Sequence, residues 1–600
     1  MAIPLTEDEL LLLDEARTWI DNDPEGLTRH ELQRLLDVIT NPDNSSASKG
    51  RSSQALGDLK DRFNGSLQFG TAGLRGALEA GPNRMNRSVV IKAAAGLGAY
   101  LTGQLPHATP QVVIGYDARH YSKQFALDSA AVLTAAGCSV TILNHALPTP
   151  VLAYTMKRLG SDAGIVVTAS HNPPQDNGYK VYLGGRIVVD AGQGAQIVPP
   201  YDREIAQAIA ATPPVRDIPR AESGWFTLDD NAVTSYVNAV LTLKTPSPRD
   251  LTIVLTPLHG VGGSVVDKVL HRAGFDKLIS VAEQYEPNAD FPTVSFPNPE
   301  EPGAIDLALT YAMRFQADLV IANDPDADRC AVAVKDPRTA AAHAHRVTTP
   351  QAAGWRMLHG DEVGSLLGNV IAQRAAAEGK TAANAVLANS IVSSRLLSKI
   401  AEKHGLGYQS TLTGFKWIAR AKDLVYGYEE ALGYCVAPEL VKDKDGISAA
   451  LVIAQLAATL HAQGKTLIDE LDDLAREHGL YLTDQLSARF LDLSQIPATM
   501  SRLRATPPSA LAGSPITQVV DLVDGYEGLP PTDGLLLLTD DDTRVIVRPS
   551  GTEPKVKCYI EVISPVDSDA DTAQLTTVRH EAREKITAVR ADMTRALGLD

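Results

Sequence analysis

One pattern recurs three times along the chain: a short run of β-branched and aliphatic residues, then a stretch whose apolar positions fall at helical spacing. In the first copy the strand-like runs are Gln111 to Tyr116, Ser139 to Leu143 and Gly164 to Thr168, with helical stretches around Val90 to Leu101 and Gln124 to Ala136. The second has strands at Leu251 to Leu255, Leu278 to Ala282 and Asp318 to Ala322, separated by Val265 to Ala273 and Ala304 to Arg314. The third has Ala385 to Leu387 and Leu424 to Tyr428, with helices before and between. Short, continuously apolar strands are buried on both faces, and the intervening helices supply the cover. The pattern therefore predicts α/β domains with mainly parallel sheets. After about Leu480 the character changes: strand-like runs crowd together at Thr517 to Leu522, Leu535 to Leu538, Arg544 to Val547 and Val556 to Ile563. A helix from about Thr572 to Leu597 follows, which reads as α+β.

Six hundred residues exceed what one core organises, so domains of roughly 100–200 residues are expected. The expected division is a helical extension over 1–65, three similar mixed α/β domains over 66–225, 226–346 and 347–480, and a carboxyl-terminal α+β domain over 481–600. In the extension, Thr6 and Glu9 make a capping box for a first helix through about Ile20, and a second amphipathic segment covers roughly Leu27 to Ile39. Asn41 to Ser53, rich in Asn and Ser, reads as a loose linker. Pro213-Pro214, Pro246 with Pro248, and Asp336 to His345 supply boundaries or surface loops; His343 and His345 read as solvated rather than metal-binding.

A net charge of −17, from 55 basic and 72 acidic residues, argues against a general nucleic-acid or anionic-membrane binder. It leaves room for a local basic pocket holding an anionic ligand. The four cysteines form no C-x-x-C pair, and Leu10 to Leu13 is too short and too acidic in its flanks for a signal peptide. The expected setting is a reduced, cytoplasmic one with no membrane partner.

Four loops carry chemistry. The apolar run Gly164 to Val167 ends in Thr168-Ala169-Ser170-His171-Asn172-Pro173-Pro174, which delivers a hydroxyl to the carboxyl end of a buried strand, where open α/β sheets place ligands. Ser170 is thus a candidate nucleophile, or a capping serine at an ordinary corner. The sequence argues against a hydrolase elbow, because G-x-S-x-G needs glycines where Thr168 and Asn172 stand. His171 is poorly placed as its base if the backbone is extended, since neighbouring side chains then point opposite ways. Asn323-Asp324-Pro325-Asp326-Ala327-Asp328-Arg329 follows a strand, and its alternating carboxylates can converge on a hard cation such as magnesium, or form an acidic turn. An EF-hand is set aside, because Arg329 and Lys335 replace its Gly and Glu.

Tyr428-Glu429-Glu430-Ala431 presents carboxylates that suit sugar hydroxyls rather than phosphate, or forms a solvated acidic turn. Arg548-Pro549-Ser550-Gly551-Thr552-Glu553-Pro554 combines a guanidinium, two hydroxyls and a glycine-bent backbone, the ingredients of an anion cradle. Gly379-Lys380-Thr381 and Gly464-Lys465-Thr466 mimic the end of a P-loop, yet the upstream glycine is Arg374 in one and Thr459 in the other.

TASHNP with Asn177-Gly178-Tyr179-Lys180 resembles the phosphoserine loop of the α-D-phosphohexomutase superfamily, the phosphoglucomutases and phosphomannomutases. The other loops match in order: Asp324 to Arg329 looks like the family's magnesium loop, and Glu429 falls on the glutamate of its Gly-Glu-x-Ser sugar loop. Tyr428 and Ala431 depart from that form, so one hydroxyl contact is lost. RPSGTEP is almost verbatim the family's phosphate-binding loop. Phe69-Gly70-Thr71-Ala72-Gly73-Leu74-Arg75-Gly76 is similar to its FGTxGxRG element, and Gly81 to Asn86 to the phosphoglucomutase/phosphopentomutase branch. Thr413-Gly414-Phe415-Lys416 falls where the family contacts substrate. The resemblance spans about residues 65 to 563.

It implies four domains around one cleft and a reversible transfer between the 1-phosphate and the terminal phosphate of a sugar, through phosphorylated Ser170 and a sugar bisphosphate. The implied cofactors are one Mg2+ per chain on Ser170, Asp324, Asp326 and Asp328, and glucose 1,6-bisphosphate as activator. Arg75, Arg329 and Lys180 would surround the phosphoryl oxygens. Lys180 is also the expected proton carrier, since desolvation beside other cations depresses a lysine, and His171 adjoins the nucleophile. Glu429 and Lys416 would hold the sugar, and Arg548, Ser550, Gly551 and Thr552 the other phosphate. Glucose is the leading substrate, with pentose or mannose phosphates as alternatives, on a monomer or homodimer. A metal-dependent phosphatase and a non-catalytic phosphosugar binder are the competing classes.

Overall fold

The computed structural model describes residues 5–41, 46–71, 73–336, 338, 354–490, 494–550 and 555–599, with no account of the side chains of 46–49. Four sheets follow one another along the chain. The first runs, in spatial order, Leu74–Ala77, Asp176–Leu183, Ala163–Val167, Gln111–Tyr116, Ser139–Leu143, Phe226–Leu228, with Ala195–Gln196 paired outside this path. Its centre is parallel and its Leu74–Ala77 edge antiparallel. The second sheet orders Trp355–Met357, Ala331–Lys335, Leu319–Ala322, Ile253–Thr256 and Leu278–Ser280; the third orders Gly407–Thr411, Val386–Ser390, Leu424–Glu429 and Gly433–Cys435. In each, the parallel pairs are those connected through helices, and returning strands, two in the second sheet and one in the third, add an antiparallel edge. The last sheet is wholly antiparallel, from Leu480–Arg489 through Lys555–Ser564 to Ala510–Leu511, with the helix Thr572–Leu597 packed on it. Three mixed α/β domains and an α+β domain are therefore present, as the alternation predicts.

Most of the strands that sequence reading missed are antiparallel, although Phe226–Leu228 and Gly407–Thr411 pair in parallel. Asp176–Leu183 opens with Asp-Asn-Gly, a turn signal, so Gly178 to Lys180 looks like loop; all but the first residue are buried between two neighbouring strands. Leu480–Arg489 is half exposed and polar, and is held as a strand by its full-length pairing with Lys555–Ser564.

One apolar core runs unbroken from the face of the first sheet carrying Val113 and Tyr182 through the second domain to the face of the third sheet carrying Leu387 and Tyr426. The opposite face of the first sheet has its own core around Ile114, Ile165 and Tyr179. The last domain is held differently. Glu561, 2% exposed, accepts from Arg395 Nε at 2.6 Å and Ser394 Oγ at 2.9 Å and lies 3.3 Å from Arg544. Its joint to the third domain is thus polar around a small apolar cluster containing Val392, Ile546 and Tyr559.

The amino-terminal segment is three helices, Glu7–Asn22, Gly26–Thr40 and Ser46–Arg62. The capping box at Thr6 and Glu9 is present. The loose linker expected over Asn41 to Ser53 is corrected: the third helix begins at Ser46. Its polar sequence gives little local signal, and it forms because Ala55 and Leu59 join Leu13, Leu32 and Leu36 in a small core. Ion pairs seat the bundle on the first domain, where Arg87 bridges Glu25 and Asp128, and Arg62 reaches Glu31 and Glu79. His343 and His345 lie outside the described residues. Among the described residues no single helix is long and apolar enough to cross a membrane.

Candidate active site

The strand Ala163–Val167 ends three residues before Ser170, whose φ of 51° lies in the left-handed region. The loop is clamped in that conformation. The Ser170 amide donates to Thr168 Oγ1 at 2.9 Å, and the buried Arg119 guanidinium donates to the carbonyls of Ser170 (2.6 Å) and Pro173 (2.8 Å). Here the extended-backbone argument about His171 fails: the left-handed turn swings His171 Nδ1 to 3.3 Å from Ser170 Oγ. Burial, reinforced by Arg329 and Arg75, keeps the imidazole pKa well below its ordinary value and hence the ring neutral.

Ser170 Oγ donates to Asp324 Oδ2 at 2.6 Å. Asp324, Asp326 and Asp328 each offer an oxygen within 4.8 Å of the others, and all three are buried. The loop between the strands Leu319–Ala322 and Ala331–Lys335 that holds them packs too tightly for a side chain beside it: a Cβ on Gly446 would come within 2.1 Å of the Arg329 carbonyl oxygen. Burial and the neighbouring carboxylates Asp326 and Asp328 push Asp324 well above the usual carboxylate range. Asp326 Oδ1 and Asp328 Oδ1 are buried without a hydrogen-bond partner among the described residues. Unsatisfied oxygens on converging buried carboxylates fit a hard, oxygen-seeking cation of the magnesium type.

Cations close the ring. Lys180 Nζ sits 2.7 Å from Asp326 Oδ2 and 2.9 Å from Asp328 Oδ2. The physical basis for expecting Lys180 to release its proton is not met: burial pulls its pKa down, but the two carboxylates more than compensate and hold it above an ordinary lysine. Lys180 is delivered by the missed strand Asp176–Leu183, against which Gly73 packs with φ of 74°; a Cβ there would come within 1.8 Å of the Tyr179 carbonyl oxygen. Two residues on from Gly73, Arg75 Nη1 donates to Asn172 Oδ1 at 3.1 Å, within the serine loop. Arg329 faces Glu300 at 3.6 Å, and its amide donates to Asp324 Oδ1 at 3.0 Å.

The two glutamates of the third domain have different tasks. Glu430 Oε2 accepts from Ser390 and Ser393, each at 3.0 Å, so it braces its own domain. Glu429 faces the cleft, and burial raises its pKa despite Lys444, whose Nζ is 3.8 Å away. Tyr428 points to the opposite side of the strand and donates to Asp361 at 2.9 Å. Lys444 is the cleft residue that sequence reading missed: it lies 3.3 Å from Asp328 as well as near Glu429. Its only local signal was the Asp443-Lys444-Asp445-Gly446 run ahead of a helix.

Lys416 reaches Thr71 of the first domain. Burial, with repulsion from Arg548 and Arg420, draws its pKa down to about 8 despite Asp202. Arg548 at the end of the strand Arg544–Pro549 is thus on the same side of the molecule as Lys416. The Ser550 amide donates to the Lys555 carbonyl at 2.8 Å across that turn, while Gly551 and Thr552 lie outside the described residues.

The phosphoglucomutase/phosphomannomutase domain families match in order: alpha/beta/alpha domain I over residues 66–214, domain II over 234–337, domain III over 359–478 and the C-terminal domain over 523–585. A Haemophilus influenzae protein named "Probable phosphomannomutase" is 43% identical over 489 residues, covering 81% of this chain and 95% of its own. The human phosphopentomutase is 32% identical over 635 residues, 97% of this chain and 96% of that one. A Staphylococcus haemolyticus phosphoglucomutase is 33% identical, covering 83% and 91%. The open form of Paramecium pp63/parafusin, at 17% identity and a TM-score of 0.60, covers 89% of this chain and 96% of its own and shares the fold.

Proposed function

The chain belongs to the phosphoglucomutase/phosphomannomutase family and is an intramolecular phosphotransferase, and from that premise we propose a reversible exchange of phosphate between Ser170 and the two ends of an aldose. Glucose 1-phosphate and glucose 6-phosphate are the leading pair. The observation that carries the reading is the meeting of Ser170 Oγ with Asp324 at 2.6 Å, inside a ring of buried aspartates, lysines and arginines. Phosphoryl transfer asks for positioning and charge neutralisation more than for covalent assistance, and this ring provides both.

The metal-dependent family uses magnesium, and Asp324, Asp326, Asp328 and Ser170 are the groups that would hold it; when bound it offsets charge on the transferring phosphoryl group. Phosphorylated Ser170 gives its phosphate to the free sugar hydroxyl, and the bisphosphate returns its other phosphate after turning round. Arg75, Arg329 and Lys180 hold the phosphoryl oxygens. His171, neutral and 3.3 Å from Ser170 Oγ, flanks the serine through both transfers. Glu429 and Lys444 orient sugar hydroxyls, while Lys416, Arg548, Ser550, Gly551 and Thr552 grip the phosphate at rest.

A pentose reading has specific support: the human phosphopentomutase aligns over the amino-terminal helices as well, and Ala431 removes a hydroxyl from the sugar loop. Rates on glucose, mannose, ribose and deoxyribose 1-phosphates, with glucose 1,6-bisphosphate present, rank the substrates. Peptide mass analysis of enzyme caught during turnover tests the common step. Phosphate never found on Ser170 would sink the mechanism, and free phosphate released without isomerisation would mark a phosphatase.

A further inference from the structure

On a protein of net charge −17, cations without acidic partners are conspicuous. A cavity of about 950 Å³ opens where the first three domains meet, and its wall carries Lys157, Lys244, Arg374, Lys380, Lys422 and Lys442. Three acids, Glu378, Asp423 and Glu439, face the same space. Among the described residues the only ion pair these cations make is Lys380 with Glu378 at 3.1 Å. Lys157 instead donates to the backbone carbonyls of Pro438 and Glu439, and Lys442 to that of Ala419. Burial lowers the pKa of both lysines, and Lys442 lowers Lys157 further. Six positive side chains from three domains thus converge on one concavity against three acids.

The cavity is separate from the catalytic cleft, although both touch one stretch of chain: Lys442 lines the cavity, and Lys444 pairs with Asp328. A concave surface of this size suits a small molecule, and clustered ammonium and guanidinium groups select phosphate oxygens. Lys380 belongs to the Gly379-Lys380-Thr381 run that fails as a P-loop; it serves here at the end of a helix, beside Arg374.

We propose that this three-domain cavity binds a small molecule carrying two or more phosphate groups. The positive side chains hold the phosphates, and the apolar wall formed by Leu243, Ile371 and Val436 receives the rest of the molecule.

Calorimetric titration of the full-length protein with tripolyphosphate tests this, using the Arg548→Ala variant to weaken phosphate binding in the catalytic cleft. Binding retained in Arg548→Ala, and weakened at least tenfold when Lys244→Glu and Lys422→Glu are added, is the expected result. Both lysines are exposed, so an unchanged melting profile confirms that the charge reversals leave the fold intact, and mutase activity in the otherwise unaltered protein should not move. ATP and glucose 1,6-bisphosphate, titrated separately, tell whether a nucleotide or a sugar carries the phosphates. Equal tripolyphosphate affinity with and without the two charge reversals overturns the proposal, as does loss of all binding in Arg548→Ala alone.

Discussion

The Ser170 hydroxyl donates a 2.6 Å hydrogen bond to Asp324, 154 residues further along the chain. The contact joins the first domain to the second at the position where we propose that phosphate is exchanged. A loop on one sheet supplies the proposed nucleophile, and a loop on the next supplies the carboxylates that would hold its counter-ion.

Ser170→Ala is expected to lower kcat by a factor on the order of 10⁴ or more, since it removes the only atom proposed to carry the phosphate. The unfolding midpoint should move by no more than a few degrees, because only one hydroxyl is lost. A coupled assay beside a thermal melt reads both quantities, and activity near that of the parent would end the scheme.

Lys180 is buried between Asp326 and Asp328. Truncating one side of a buried ionic cluster costs about 3–5 kcal/mol, so Lys180→Met should melt earlier than the parent. The deficit should be largest in EDTA and shrink in magnesium, because a bound divalent ion supplies the missing positive charge. An equal deficit in both buffers would contradict metal binding at the triad.

Adjacent glutamates separate cleft from scaffold. Glu429→Gln should reduce kcat/KM by about 10–150-fold, the value of a hydrogen bond to a charged group. Glu430→Gln should act mainly on stability, because its carboxylate is already engaged by Ser390 and Ser393. Steady-state kinetics on both variants decides whether the sugar loop is oriented as argued.

Lys416, with its pKa near 8, holds its charge below that value and loses it above. Phosphate affinity should therefore decline as pH rises through 8, with KM climbing by up to about tenfold per unit. Lys416→Arg stays protonated throughout and should flatten the climb. A profile identical in the two proteins would remove Lys416 from the phosphate site.

At the joint of the last domain, Arg544 and Arg395 outweigh burial and hold Glu561 below the usual carboxylate range. A depressed carboxyl contributes stability that is present above the unfolded value of about 4.3 and is lost as pH falls through the folded one. Glu561→Gln should speed amide exchange in Lys555–Ser564 at neutral pH and weaken its acid dependence. Unchanged exchange would show that the apolar cluster alone carries the joint.

The sequence by itself determined the domain classes and which loops are the candidates for chemistry. Strands such as Gln111–Tyr116 and Ser139–Leu143 and the helix Thr572–Leu597 are legible because burial on both faces, or on one helical stripe, writes a periodic pattern into local composition. The serine, the aspartate triad, Glu429 and Arg548 stand at the ends of such strands, where motif and position agree.

The tertiary structure decided what local pattern cannot encode. The helix Ser46–Arg62 and the strand Asp176–Leu183 exist because distant partners bury or pair them. The left-handed turn that brings His171 to Ser170 is held by Arg119 from another loop. Lys180 is held above an ordinary lysine, and Lys444 joins the cleft, because carboxylates remote in sequence lie within a few ångströms. Coulombic and hydrogen-bonding energies depend on separation in space, and separation in space is fixed only once the domains have packed.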